Sequence, residues 1–286
     1  AGMAECIIAG GVESMSFVPA AGWKTVPSFE IASEAPDYYL NMGLTAEAVA
    51  KEYQVSREAQ DAFAFSSHQK ALHAIQQGHF KDGIAPIQVN EVYLDENGKK
   101  QQRTFTVDTD EGVRADTSIA GLSKLKPAFA VNGSVTAGNS SQNSDGAAFV
   151  VVMSGSMVKA LGLQPIGRLV HCSVAGVDPK LMGIGPVEAI PKVLKLANMT
   201  LADIDLIELN EAFASQAIAI TNELELDESK LNINGGAIAL GHPLGCTGAK
   251  LTVQLLGDLK RLNKRYGMVS ACVGGGQGIA AIIERI

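Results

Sequence analysis

Residues 204–224 read IDLIELNEAFASQAIAITNEL, and this stretch decides the fold class. Residues 204–209 are rich in Ile and Leu and have the length of a buried strand. The run ends at the polar pair Asn210 and Glu211, and a helical pattern over 212–224 follows at once. A strand that leads directly into a helix is the repeating unit of α/β proteins. The stretch therefore predicts a mostly buried sheet with helices packed against it.

The same alternation continues on both sides of this stretch. Towards the N-terminus, two predicted strands are each followed by a predicted helix, in the order 149–153, 156–161, 166–175 and 186–197. Towards the C-terminus, a long helix begins at Leu244 or Gly245 and ends at Leu262, and predicted strands follow over 267–273 and 278–285. The alternation predicts one α/β core that takes up the second half of the chain.

The first part of the chain has a different character. Residues 6–9 read as a buried strand that enters Gly10 and Gly11, and the polar segment from about 20 to 134 reads as an insertion between two strands of the core. Within this insertion we predict helices from Gly43 or Thr45 to Tyr53 and from Ser56 to Gln77. Asn97-Gly98 indicates a hairpin whose return strand covers 104–107.

Composition excludes several classes of protein. The chain has 286 residues, 47% of them hydrophobic, and a net charge of −7, which argues against nucleic acid as the main partner. Arg114, Lys124 and Lys126 could still neutralise a phosphorylated ligand locally. The four cysteines are widely spaced, which argues against a disulfide framework and favours a reduced, intracellular compartment. No apolar run has the length of a membrane span.

The run 234–249, NGGAIALGHPLGCTGA, surrounds one histidine with small residues. His242 precedes the predicted helix, whose positive end disfavours an imidazolium, so the ring is expected to stay neutral. A neutral imidazole is what a general base requires. The simpler structural interpretation is a histidine hydrogen-bonded at a helix cap. A zinc site made by His242 and Cys246 is weaker, because no further ligands stand nearby.

The run 270–278, SACVGGGQG, carries a cysteine from a predicted strand into a glycine-rich turn. Glycines can direct bare N–H groups into a shared space, which suits a thiol beside an oxyanion site. A buried structural cysteine next to a tight turn explains the same pattern. Asn210 and Glu211 likewise suit either an active-site edge or an ordinary helix cap. Asn210, His242 and Cys272 each end a strand or begin a helix, so all three could meet at one edge of one sheet.

Together these motifs resemble the thiolase family. Asn210-Glu211-Ala212-Phe213, Gly241-His242-Pro243 and Cys272-Val273-Gly274 resemble the three C-terminal thiolase signatures in order and spacing. Further thiolase-like segments lie at 10–16, 136–147 and 182–186, so the resemblance covers the whole chain.

The resemblance implies a fold and a domain plan. It implies an α/β fold of duplicated thiolase half-domains, mixed sheets sandwiched by helices, with an inserted loop domain. We expect residues 1–20 and 135–162 to be the remnant of the N-terminal half-domain and 163–286 the C-terminal one. Residues 21–134 would be the loop domain that covers coenzyme A.

The resemblance also implies roles for individual residues. His242 would activate the nucleophilic cysteine, and Asn210 would hold a water that stabilises the thioester enolate with His242. Cys272 would move the proton to and from the substrate α-carbon, and the Gly274 N–H would serve an oxyanion hole. Coenzyme A or acyl-CoA would be a substrate rather than a permanent cofactor. Its binding residues would be Arg114 against the adenine, Ser141 on the pantetheine arm, and Met42, Phe129, Met182 and Phe213 along the tunnel.

One departure is large. The family's nucleophilic cysteine precedes the segment that matches 10–16, and Cys6 lacks its surrounding motif. We therefore expect the first half-domain to be largely missing and the chain alone to be inactive in thiolysis. A non-catalytic acyl-CoA-binding remnant is one alternative. A ketoacyl synthase is another, although it would carry a second histidine at the position of Cys272.

The resemblance also bears on the type of thiolase. Asn41 stands where biosynthetic acetoacetyl-CoA thiolases carry a histidine, and 140–142 and 242–248 resemble degradative 3-ketoacyl-CoA thiolases. A degradative enzyme of fatty-acid β-oxidation is therefore expected, with a biosynthetic thiolase as the alternative. The family implies a homodimer or homotetramer, in the cytoplasm or in an organelle matrix.

Overall fold

The computed structural model describes residues 2–19 and 22–286. Ala1 and the predicted domain boundary at residues 20 and 21 lie outside the described residues. The strands of the described part are β1 (Cys6–Ser14), β2 (Ile87–Leu94), β3 (Lys100–Val107), β4 (Asp145–Met153), β5 (Gly167–Gly176), β6 (Leu206–Leu209), β7 (Tyr266–Val273) and β8 (Gln277–Arg285).

The helices of the same residues are α1 (Phe29–Glu34), α2 (Met42–Glu52), α3 (Arg57–Gln77), α4 (Ile119–Leu122), α5 (Gly155–Ala160), α6 (Gly185–Ala197), α7 (Ala214–Glu223), α8 (Ala237–Leu240) and α9 (Thr247–Arg261). Short 3-10 turns cover Pro36–Tyr39, Pro179–Ile184, Leu201–Asp203 and Leu244–Cys246. The last of these occupies the predicted beginning of the long C-terminal helix, which therefore begins at Thr247.

The central sheet has four strands in the order β5–β8–β7–β6. β6 and β7 are parallel, whereas β8 pairs antiparallel with both β7 and β5. The sheet is therefore mixed, as predicted. Because β6 and β7 run in the same direction, their carboxyl ends meet at one edge of the sheet.

Helices cover both faces of this sheet. Side chains that alternate along a strand point to opposite faces. Ile207 of β6 joins a buried cluster with α6 and α7, whereas its neighbour Leu206 joins a second cluster with α9. Met268 and Val269 divide in the same way on β7. The period-two pattern thus produces two apolar cores, one on each face.

β1 and β4 form a separate two-stranded antiparallel sheet, here called the ribbon. We predicted that residues 6–9 and 149–153 are buried strands, and the burial part of that prediction is wrong. Ile7, Ile8, Phe149 and Val151 are 52%, 72%, 53% and 63% exposed. Within the described residues, the ribbon packs mainly against α9 and the turn before it, and most of its apolar side chains stay uncovered.

The predicted helices and hairpin of the insertion are confirmed. Ser56 caps α3, because its Oγ accepts a hydrogen bond from the Ala59 N–H at 3.1 Å. α3 ends at Gly78, which has a left-handed conformation with φ of 73°. β2 and β3 pair around the predicted Asn97-Gly98 turn. The short helices α1, α4 and α8 were not predicted, because four to six residues are too few to show a helical period.

Candidate active site

The parallel pair β6 and β7 brings two of the predicted site residues to one edge. Leu209 lies opposite Ser270 in the register of these strands, and the Asn210 N–H donates to the Ser270 carbonyl at 2.9 Å. Cys272 follows two residues after Ser270 on β7. Asn210 and Cys272 therefore lie side by side at the carboxyl edge of the sheet, where α/β proteins collect functional groups.

α8 delivers His242 to the same edge. Gly241 follows α8 with φ of 82°, and a Cβ there would lie 2.3 Å from Ser144 Oγ, so the position requires glycine. The His242 N–H then donates to Ser144 Oγ at 3.1 Å. The His242 ring reaches the Asn210 amide, with 3.3 Å between Asn210 Nδ2 and His242 Nε2. These two predicted site residues, 32 positions apart, are in contact.

Asn210 is not a helix cap. α7 begins at Ala214 and the residue before it is Phe213, so the simpler interpretation of Asn210 is wrong. Asn210 is fully buried, and its Oδ1 has no hydrogen-bond partner within residues 2–19 and 22–286. A buried amide oxygen without a donor is costly, which marks this atom as one that a water or a ligand would satisfy.

His242 is held neutral by its surroundings. Burial, and secondarily the nearby Lys250 ammonium, lowers the pKa of the His242 imidazole to about 4. Lys250 Nζ also donates to the Gly241 carbonyl at 3.2 Å. The sequence assigned the neutral ring to the positive end of the following helix. The direction agrees, but the causes that the structure gives are desolvation first and Lys250 second.

Cys272 carries a protonated thiol at neutral pH. The residue is half-buried, and burial of the thiol raises the pKa of Cys272 to about 11. The glycine turn after it has φ of 84° at Gly275 and 89° at Gly276. Gly274 is exposed, and a Cβ added to it would meet nothing within 4 Å. The sulfur therefore lies beside a turn with open space around its backbone.

The residues predicted to contact coenzyme A differ in their surroundings. Phe129 and Phe213 form an edge-to-face pair with centroids 6.0 Å apart, and the backbone of Gly43, next to Met42, packs on the Phe129 ring. Met182 is buried at 6% exposure. Ser141 is tied to the site, because its N–H donates to the Ala212 carbonyl at 2.9 Å. The Arg114 side chain is exposed, and its backbone N–H donates to His68 Nδ1 at 3.2 Å.

Two further residues support the His242 segment: Thr247, which the sequence did not single out, and Glu211, which it grouped with Asn210. Thr247 Oγ1 lies 2.6 Å from His242 Nδ1. Glu211 is fully buried, and its carboxyl group accepts hydrogen bonds from Ser67 Oγ at 2.6 Å, from Asn232 Nδ2 at 2.8 Å and from the Ile238 N–H at 3.3 Å. Burial raises the pKa of Glu211. Thr247 is the first residue of α9, but the sequence predicted that helix to begin at Leu244 or Gly245, so no sequence signal marked Thr247 itself.

Comparison with protein-family models identifies the family. The model described as the thiolase N-terminal domain matches residues 1–156, and that of the thiolase C-terminal domain matches residues 163–285. The chain belongs to the thiolase family. This chain is 55% identical over 283 residues to a 3-ketoacyl-CoA thiolase of Bacillus subtilis, covering 99% of this chain and 72% of that protein.

Two solved thiolase structures resemble this one. The human mitochondrial 3-ketoacyl-CoA thiolase in complex with CoA superposes with a TM-score of 0.86 at 41% identity, over 100% of this chain and 72% of the human chain. The dimeric peroxisomal thiolase of Saccharomyces cerevisiae superposes with a TM-score of 0.87 at 41% identity, over 100% of this chain and 70% of that chain. The predicted thiolase fold is confirmed.

The comparisons do not support the prediction that the first half-domain and its nucleophile-bearing segment are largely missing, because the N-terminal domain model matches from residue 1 to residue 156. Across residues 2–19 and 22–286, no helix is both long enough and apolar enough to cross a membrane. In those same ranges, no group of three or more His, Cys, Asp or Glu side chains could hold a metal ion.

Proposed function

We propose that this thiolase is the degradative type: it cleaves a 3-ketoacyl-CoA with CoA into acetyl-CoA and an acyl-CoA shortened by one acetyl unit, as in fatty-acid β-oxidation. The observation that carries the proposal is the 3.3 Å contact between the Asn210 amide and the His242 imidazole, at the sheet edge that also bears Cys272. The 55% identity to a protein named 3-ketoacyl-CoA thiolase supports it.

Cleavage of the carbon–carbon bond releases the enolate of acetyl-CoA, whose negative oxygen must be stabilised. The unpartnered Asn210 Oδ1 would hold a water, and that water and His242 would donate hydrogen bonds to the oxygen. His242 begins the cycle neutral, so its bare nitrogen can accept the proton of the nucleophilic thiol and then donate it as a hydrogen bond.

Cys272 suits the next step because it is a thiol rather than a thiolate. With a pKa of about 11, its S–H bond would break as a C–H bond forms at the enolate carbon. The resulting thiolate would recover a proton from the incoming CoA thiol, which becomes the nucleophile for the acyl-enzyme. The exposed Gly274 N–H would donate to the oxyanion of that second step.

The insertion would cover coenzyme A. Arg114 would contact the adenine and Ser141 the pantetheine arm, while Met42, Phe129, Met182 and Phe213 would line the tunnel. The exposure of the Arg114 side chain and the Phe129–Phe213 pair support this arrangement. In the domain plan, 21–134 would cover coenzyme A, 1–20 and 135–162 would belong to the N-terminal half-domain, and 163–286 would form the C-terminal one. A homodimer or homotetramer is proposed from the likeness to the dimeric yeast thiolase.

Asn41 is the residue that favours the degradative type over the biosynthetic one. Its Oδ1 accepts a hydrogen bond from the Leu44 N–H at 2.9 Å and caps α2. A histidine, which the biosynthetic acetoacetyl-CoA thiolases carry there, is a weaker cap. Comparing kcat/KM for acetoacetyl-CoA with that for longer 3-ketoacyl-CoA substrates tests the choice. Activity confined to acetoacetyl-CoA would favour the biosynthetic alternative.

The experiment that tests the acid–base site is hydrogen exchange at the α-carbon of acetyl-CoA in D2O, followed by mass spectrometry. In this exchange the minor thiolate form of Cys272 would take the α-proton, Asn210 and His242 would stabilise the enolate oxygen, and the thiol would return deuterium to the carbon after exchange with solvent, so the nucleophilic cysteine is not needed. We expect exchange with the wild-type protein and with Cys172→Ala, whose cysteine is exposed on β5, and none with Cys272→Ala. Binding of acetyl-CoA without exchange would instead support a non-catalytic acyl-CoA-binding protein.

Thiolysis by the 286-residue chain itself is a separate measurement. The prediction that this chain alone is inactive stays a prediction until acetoacetyl-CoA and CoA are mixed with it. Turnover at the level of a thiolase would refute that prediction and leave the proposed function intact.

A further inference from the structure

Thr247 makes two hydrogen bonds through one hydroxyl group. Its Oγ1 lies 2.6 Å from His242 Nδ1 and donates to the Pro243 carbonyl at 2.9 Å. The residue is 4% exposed, so water does not compete for these bonds. A threonine hydroxyl has one proton to donate and two lone pairs that accept. The Pro243 carbonyl can only accept, so we assign the hydroxyl proton to that bond, and the oxygen then faces His242 as an acceptor.

An acceptor at Nδ1 decides which ring nitrogen carries the proton. A neutral imidazole has one N–H, and a partner that accepts from Nδ1 requires that proton to sit on Nδ1. At the other side of the ring, Asn210 Nδ2 donates towards Nε2. Both contacts agree on a ring that is protonated at Nδ1 and bare at Nε2, which is the nitrogen that faces Asn210.

The rest of the His242 segment is fixed through its backbone. Ser144 Oγ accepts from the His242 N–H, and Lys250 Nζ donates to the Gly241 carbonyl. Neither contact touches the ring. Thr247 and Asn210 are the side chains that orient the ring within the described residues, and Asn210 faces the reacting nitrogen. Thr247 alone acts from the far side.

We propose that Thr247 is the positioning residue that holds His242 in the tautomer with Nε2 bare, using a neutral hydroxyl where many enzymes use a carboxylate. The inference rests on the proposed function for its catalytic meaning. A hydroxyl fixes the tautomer without adding negative charge, so it leaves the imidazole neutral and ready to accept a proton. Thr247 touches no reacting atom.

The test reads the tautomer directly. The protein is labelled with 15N-histidine, and two-bond 1H–15N correlation spectra at pH 7 report which ring nitrogen of each of the five histidines is protonated. The His242 signals are assigned as those missing from His242→Gln. We expect the Nδ1–H pattern in the wild-type protein and in Thr247→Ser, which keeps the hydroxyl. Thr247→Val keeps the shape but removes the acceptor, so its ring shifts towards the Nε2–H form.

The matched control is Thr252→Val on the same helix. Thr252 Oγ1 also donates to the carbonyl four residues before it, Gly248, at 2.8 Å, but it does not touch His242. This variant should leave the tautomer and turnover unchanged. In Thr247→Val we expect kcat for 3-ketoacyl-CoA cleavage to fall about 10- to 100-fold, at most the lower end of the range for losing a general base, with KM little altered and recovery in Thr247→Ser.

Two results would overturn the inference: an Nε2–H ring in the wild-type protein, or a Thr247→Val protein that keeps both the wild-type tautomer and kcat. If Thr247→Val does not fold, the spectra of the wild-type protein and of Thr247→Ser still show which ring nitrogen of His242 is protonated. A tautomer that responds to Thr247 in a protein that exchanges no α-hydrogen of acetyl-CoA would reject the proposed function and keep the structural role of Thr247.

Discussion

His242 and Cys272 lie at the same edge of the central sheet, yet the protein surrounds them in opposite ways. His242 is contacted at both ring nitrogens and at its backbone N–H, by Asn210, Thr247 and Ser144. Cys272 lies one residue before the end of β7, close to the turn at Gly274 and Gly275, where an added Cβ would meet nothing within 4 Å. The His242 ring is therefore held by hydrogen bonds, whereas Cys272 lies near a turn with open space around it.

The difference follows from what each group would have to do. An imidazole acts as a base only in the correct tautomer and direction, so it needs fixed partners on both sides. A thiol that passes a proton to carbon needs room for the substrate and a suitable pKa. Substitution of the residues that contact His242 should therefore lower turnover. Near Cys272, only removal of the sulfur itself should have a large effect on turnover.

The largest expected effect is at that sulfur. Cys272→Ala removes the proton donor, so turnover of a 3-ketoacyl-CoA should fall about 10³-fold, within the range of general acid catalysis. Cys272→Ser should fall nearly as far, because a hydroxyl gives up its proton less readily than a thiol. Steady-state cleavage rates, with Cys172→Ala as the exposed control, check this. A Cys272→Ala rate near that of the control would show that Cys272 carries no proton.

The next largest effect is expected at Asn210, which contacts the His242 ring. Asn210→Ala removes both the contact to Nε2 and the buried oxygen that would hold a water, and kcat should fall about 10²-fold, as for the loss of one oxyanion donor. Asn210→Asp should also move the pH profile, because a carboxylate beside the ring raises the pKa of His242. An unchanged pH profile in Asn210→Asp would indicate that the two side chains do not meet in solution.

Neutral His242 should also be visible in stability. In the unfolded chain it takes up a proton as pH falls below 6.5, but in the folded protein only near pH 4. The folded state should therefore lose up to about 3 kcal/mol between pH 6.5 and pH 4, and this loss should be smaller in His242→Gln. Urea unfolding of both proteins at pH 4, 5, 6 and 7 measures the difference. Parallel curves would mean that His242 titrates normally.

The sequence allowed prediction of what is periodic or local. The β6–α7 unit, the α3 cap at Ser56 and the strands on either side of the Cys272 turn all follow from short-range patterns. The sequence predicted only that Asn210 and His242 could meet at one sheet edge, since their contact depends on how Glu211 holds α8 through the Ile238 N–H. Exposure of the ribbon was missed, because an apolar strand is buried only where another element covers it, and no local pattern contains that fact.

The smallest expected effects concern Glu208 and Glu211, two buried carboxyl groups on either side of Asn210. Burial and the nearby Asp258 raise the pKa of Glu208 well above its usual value, with Gln254 Nε2 at 2.9 Å as its hydrogen-bond donor. The unfolded state ionises Glu208 above pH 4.5 while the folded state keeps its proton, so folding is penalised as pH rises. Glu208→Gln should remove this penalty, so the variant should gain stability relative to wild type as pH rises from 5 to 8.

Glu211 resembles Glu208 in that burial raises its pKa. It differs in that three hydrogen-bond donors surround its carboxyl group. Glu211→Gln would turn an amide N–H towards those donors, so it should destabilise the protein at both pH values instead of stabilising it at the higher one. It should also lower turnover, because the Ile238 N–H that Glu211 binds lies just before His242. Equal pH dependence of unfolding in the two variants would mean that the donors around Glu211 do not distinguish it from Glu208.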